Sequence, residues 1–127
     1  MRIDNLNNAT LEVTHHYLVC ALWAEVDDSG EPLDSLYDLL DISLKTEQQA
    51  LADCRRMVAY ILDSKISLPA SYTLAQLGHD LWLTRNGHGA GIWDRGLGVI
   101  GDELSDYILD NFAQVDLFIT DDMQVAA

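Results

Sequence analysis

Apolar residues recur at helical spacing in three stretches of the chain. Leu11, Leu18, Leu22 and Val26 do so in the first. Their spacing predicts a helix from Thr10 to about Val26, capped by Asn8 or Thr10 and stopped by Asp27-Asp28-Ser29-Gly30. Leu51, Cys54, Val58 and Ile61 mark one face of a second helix, from Thr46 to about Leu62. Leu104, Ile108 and Phe112 do the same for a helix from Asp102 to Ala113. Thr73 to Gln76 has the spacing of a capping box and opens a further short helix. Pro32 keeps residues 31–44 to a loop with at most a short helix. The pattern then changes. Leu81-Trp82-Leu83-Thr84-Arg85 is a nearly continuous apolar run and reads as a strand, followed by Asn86-Gly87 and a return strand at Ile92-Trp93-Asp94. Val115 to Thr120 reads as another strand, turning at Asp121-Asp122 into Gln124-Val125. The expected fold is α+β, with about four helices packed on a small antiparallel sheet of three to four strands, in a single domain over residues 1–127.

Composition adds a strong charge imbalance. With 21 acids against seven Lys and Arg, the net charge is −14. Residues 1–44 hold nine acids and a single base, Arg2, and residues 96–127 hold seven acids and no base. Such a chain repels the phosphates of DNA, RNA and anionic membranes and is drawn to basic protein surfaces. No apolar run approaches the ~20 residues of a membrane span, and the N-terminal residues have no signal-peptide core, so a cytoplasmic location is expected. Cys20 and Cys54 form no C-x-x-C pair and read as small buried hydrophobes. Trp23, Trp82 and Trp93, each in an apolar segment, read as core.

Three motifs carry candidate chemistry. Gly96-Leu97-Gly98-Val99-Ile100-Gly101 matches the dinucleotide fingerprint, but Asp102 and Glu103 open the helix that would have to receive a pyrophosphate, so no nucleotide cofactor is assigned. In the expected hairpin, Arg85, Asn86, His88, Asp94 and Arg95 cluster among glycines. Backbone N–H groups and these cations can hold an anion, with Asp94 orienting His88 as a general base. Equally, the arginines can pair with the abundant acids. His15-His16, His79-Asp80 and the 27–31 turn lack metal-ligand spacing, and no metal is assigned. Finally, Asp102, Asp106 and Asp110 lie four apart with Glu103 beside them, on one helical face and about 6 Å apart along the axis. That spacing resembles successive phosphates on a DNA strand. Glu25, Asp27, Asp28, Glu31, Asp34, Asp38 and Asp41 form a second acid-rich stretch.

The segment HDLWLTRNGHGAGIWDRG, residues 79–96, resembles a signature of small phage and prophage proteins that typically read HDFWLTRNGHGAGFWDRG. Cys20-Ala21-Leu22-Trp23, the run from Asp27 to Asp34, and the tail from Val115 are also similar. Leu81 and Ile92 stand in place of phenylalanines, and Met123 in place of a turn glycine. The resemblance implies a phage accessory protein in bacterial cytoplasm and brings no catalytic residue with it. The leading expectation is therefore a non-enzymatic, DNA-mimic-like protein that binds and inhibits a basic host nucleic-acid-binding or defence protein or nucleoprotein complex, as anti-restriction or anti-CRISPR proteins do. Its partner-binding residues would be Asp27, Asp28, Glu31, Asp34, Asp102, Glu103, Asp106 and Asp110. The alternative is a small enzyme or an anion- or nucleotide-binding domain centred on Arg85, Asn86, His88, Asp94 and Arg95. A third possibility is a purely structural or assembly role.

Overall fold

The computed structural model describes residues 1–127. Helix α1 spans Leu6–Ala24, and begins where the Asn5 side chain accepts a hydrogen bond from the Asn8 N–H. Ala9, Val13, Tyr17 and Ala21 bury its inner face. Thr10 and Thr14 are buried too, their hydroxyls donating to carbonyls one turn earlier. Leu11, expected on the inner face, is exposed, and Val26 lies beyond the helix end, also exposed. Two short 3₁₀ turns, Leu33–Ser35 and Leu39–Asp41, lead to α2, Leu44–Asp63, capped by Ser43. Cys54, Met57, Val58 and Ile61 face inward along it.

The segment read as a strand is helical. Helix α3 spans Leu74–Asn86, capped by Thr73, whose hydroxyl accepts from the Gln76 N–H. Every residue from Asp80 to Arg85 is buried. A helix covered on all sides has no polar stripe, so its sequence shows no helical period and mimics an interior strand. It lies close against α1: a Cβ on Gly78 would sit 2.8 Å from the Tyr17 amide nitrogen and nearer still to the Val13 carbonyl. The Asn-Gly pair ends this helix instead of turning a hairpin. Gly87 adopts φ 65°, ψ 42°, its N–H donates to the Thr84 carbonyl, and the His88 N–H donates to that of Leu83. This is a Schellman termination, which needs the same left-handed glycine that a tight hairpin turn needs. Residues 92–94, expected as the return strand, form a 3₁₀ turn.

Helix α4, Val99–Asn111, follows and buries Leu104, Ser105 and Ile108. The glycine run 96–101 thus joins a 3₁₀ turn, not a strand, to a helix. The sheet is smaller than expected. It consists of β1, Phe118–Ile119, antiparallel to β2, Val125–Ala126, with Ile42 bridged to Val125 on the other side. The turn between them passes through Met123 at φ 64°. The α+β class therefore holds with four helices and a two-stranded ribbon. One continuous core draws on all four helices and the C-terminal tail, with α1 packed along both α2 and α3. No helix is long and apolar enough to cross a membrane.

Candidate functional site: an acidic groove and a covered cavity

The 79–96 segment is a set of internal braces. Arg85 is 6% exposed; its Nη1 donates to Asp53 Oδ2 at 2.8 Å and to the Tyr17 hydroxyl at 3.0 Å, and its Nε donates to the Ala113 carbonyl at 2.8 Å. One side chain thus ties together α1, α2, α3 and the tail. Gln49 donates to the other Asp53 oxygen. Asp80, fully buried, accepts from the Tyr72 hydroxyl at 2.7 Å, from Gln76 Nε2 at 3.0 Å and from Arg95 Nε at 2.9 Å. Thr84 Oγ1 accepts from the Ile92 N–H, so the loop after α3 folds back onto its last turn. Asn86 donates to the Trp82 carbonyl and accepts from the Val115 N–H at 2.8 Å.

The anion-binding cluster expected here is consequently not assembled. Arg85 points into the core, Arg95 onto Asp80, and Asn86 onto its own helix and the tail. His88 Nε2 lies 3.0 Å from Glu25 Oε1, and Asp94 accepts from the Gly91 N–H, so Asp94 does not orient His88. The physical reason is the helix itself. With α3 extending to Asn86, Arg85 falls on a helical face surrounded by α1, α2 and the tail, away from the glycine loop. Trp82 is buried as expected, with its ring edge-on to Tyr17, but Trp23 and Trp93 are substantially exposed. Burial pushes the Cys20 and Cys54 thiols up to about 12, which leaves both unreactive at neutral pH.

The acids present a contrast. Only Asp4, Glu25, Asp53 and Asp80 lie within 4.0 Å of a basic side chain. Asp102, Glu103, Asp106 and Asp110 are all exposed and line a single shallow groove of about 540 Å³ together with Val99, Asn111, Tyr60 and Tyr107. The two tyrosines, from α2 and α4, stack with ring centroids 3.6 Å apart and planes at 14°. The Tyr60 hydroxyl donates to Glu103 at 3.2 Å. Its phenol is held above the usual tyrosine range by partial desolvation, and further by the neighbouring Glu103 charge. The groove offers four carboxylates without a base and an aromatic pair beside them. The α4 ridge was legible from i, i+4 spacing, whereas the tyrosine from α2 carries no local signal.

Asp27, Asp28, Glu31 and Asp34 lie elsewhere, in and after the turn that follows α1. Asp27 Oδ1 accepts from the Ser29 N–H, the Ser29 hydroxyl and the Glu31 N–H, which hold its carboxyl below the usual range. That residue therefore organises its own turn. Asp28, Glu31 and Asp34 are exposed and unpaired.

A feature with no sequence signal lies under the tail. Tyr17, Leu18 and Leu22 of α1, Gln49 and Ala50 of α2, Trp82 of α3, and Val115, Leu117 and Val125 of the tail line a partly open, mainly hydrophobic pocket of about 350 Å³, with Lys45, Gln114 and Asp116 also in its lining. The tail is held over it by Arg85 at Ala113, by Asn86 at Val115 and by the Ser43 N–H donating to the Val125 carbonyl. The Trp82 indole N–H has no acceptor in the protein. A buried donor left so costs on the order of 1–3 kcal/mol. No family model matches the chain, and no curated protein or solved structure is significantly similar to it.

Proposed function

We propose that the protein is a binding module whose α4 groove receives a basic segment of another protein. One observation carries this reading: Asp102, Glu103, Asp106 and Asp110 share one groove, and no base of the chain lies within 4.0 Å of any of them. Like charges four residues apart weaken a helix slightly, and here no internal cation relieves them. A guanidinium or ammonium from a partner would do so. An arginine suits the groove best, since its planar fork pairs with carboxylates while its face stacks on tyrosine. The net charge of −14 would draw such a partner from a distance and speed encounter toward about 10⁸–10⁹ M⁻¹s⁻¹ at low salt.

Nucleic-acid-binding proteins and nucleases carry surfaces of the complementary kind, and occupying them would displace their nucleic acid. The resemblance of residues 79–96 to phage and prophage proteins fits an inhibitor of a host defence protein. The test is capture from a bacterial lysate at low and at moderate salt, by the wild type and by the variant Asp102→Asn/Asp106→Asn/Asp110→Asn. A basic protein retained by the wild type at low salt, weakened by moderate salt and lost with the variant is expected. Equal capture by the two proteins, with the same salt dependence, would remove the groove as the binding surface.

A further inference from the structure

Neither His15-His16 nor His79-Asp80 has the spacing of metal ligands along the chain, but the packing of α1 on α3 brings His16 beside His79. The helices meet at Gly78, where a Cβ would stand 3.0 Å from that of His16. One turn further along α1, the Cys20 thiol reaches the His79 carbonyl at 3.6 Å. Between these contacts the His16 and His79 rings lie with centroids 6.4 Å apart and planes at 41°. With metal–nitrogen bonds of about 2.0–2.1 Å, two imidazoles on one ion have centroids roughly 5–6.5 Å apart, according to the angle at the metal. The observed separation is at the wide end of that range, and a small turn about the soft outer torsion of either histidine narrows it.

The ring nitrogens are also free and reachable. Of the four histidines, only His88 has a ring partner, Glu25. His16 and His79 are half-buried, yet none of their nitrogens is sealed from solvent without a partner. His15, exposed and edge-on to His16, diverges from it by about 100° round the helix. We propose that His16 and His79 form a two-imidazole clip for one late first-row divalent cation, of the zinc, nickel and copper group that imidazole suits. No group of three His, Cys, Asp or Glu side chains converges on one point, so water fills the remaining positions of the ion. The net charge of −14 raises the local concentration of cations, and the bound ion fastens α1 to α3 where they pack at Gly78.

Zinc is the probe. Calorimetric titration of Zn²⁺ into the metal-free full chain is expected to show saturable one-to-one binding below millimolar concentration. In parallel, the histidine ring signals are followed by NMR, where those of His16 and His79 should move and that of His88 should stay in place. His16→Gln and His79→Gln are each expected to weaken binding by about tenfold or more. His88→Gln and the groove variant Asp102→Asn/Asp106→Asn/Asp110→Asn should bind zinc as the wild type does. Absence of saturable binding would overturn the proposal, as would undiminished binding in either folded histidine variant. Loss of binding in the groove variant, with the His16 and His79 signals unmoved, would do the same and would place the ion among the carboxylates. If a histidine variant fails to fold, the ring signals of the wild type decide. Capture of a basic protein by the groove is untouched by any of these outcomes, so the two readings fail separately.

Discussion

Helices α3 and α4 are both 13 residues long, and they handle charge in opposite ways. On α3, Asp80 and Arg85 are buried, and each meets an oppositely charged partner with further hydrogen bonds around it. On α4, Asp102, Glu103, Asp106 and Asp110 are exposed and meet no base of the chain. In a protein with seven Lys and Arg for 21 acids, cations are the scarce component. Arg85 and Arg95 serve the two buried carboxylates, where an unpaired charge would be most damaging. The exposed acids, which water can solvate, are left open. The difference teaches that the richest chemical motif of the sequence is a folding device, and that the plainer acidic repeat is left uncompensated on the surface.

Substitutions at the two helices should separate along that line. The largest effect is expected at Arg85→Met, which leaves the buried Asp53 with only Gln49 and the more distant Arg56, at 3.9 Å. Breaking a buried pair from one side typically removes about 3–5 kcal/mol, measurable as a lower midpoint in denaturant. The double variant Arg85→Met/Asp53→Leu should recover a large part of it, because no charge is then stranded. Gly78→Ala should be next, at about 1–3 kcal/mol, since its methyl would meet the α1 backbone and force the helices apart. Thermal unfolding monitored by circular dichroism would read this directly.

A smaller effect concerns His79, also on α3. Burial, and then the neighbouring His16, hold its pKa below the usual histidine range. Below about pH 6.5 the unfolded chain takes up a proton that the folded chain resists. Stability should therefore decline as the pH falls from 6.5 through the folded value, and His79→Gln should flatten that part of the profile. The smallest stability change is expected on α4. Asp102→Asn/Asp106→Asn/Asp110→Asn removes i, i+4 repulsion and should leave the melting temperature unchanged or raised, by a few tenths of a kcal/mol for each relieved pair.

How far the sequence could be read follows from the same physics. Helices α2 and α4 each have a wet face and a dry face, so Cys54, Val58, Ile61, Leu104 and Ile108 showed the helical period and are buried. For α1 the helix was legible, but its inner face was misjudged at Leu11. The start of helix α3 was legible from its Thr73 cap, but its second half was not, because Asp80 to Arg85 are enclosed on every side, which erases the period. The Asn86-Gly87 pair compounded the error, since one left-handed glycine serves both a hairpin and a helix end. Once α3 is a helix, Arg85 turns inward and the expected anion site dissolves. The α4 acids were legible because they repeat within one element. The cavity was not, because Tyr17, Ala50, Trp82 and Val125 meet only after long-range packing.

The central claim is that position in the groove, and not net charge alone, makes the α4 acids a recognition surface. It is tested by comparing Asp102→Asn/Asp106→Asn/Asp110→Asn with the charge-matched control Asp28→Asn/Glu31→Gln/Asp34→Asn, measuring the affinity of each at low salt for a basic protein captured by the wild type. The groove variant should lose about tenfold or more in affinity and the control only a small fraction of that. Equal losses in the two variants would contradict the account.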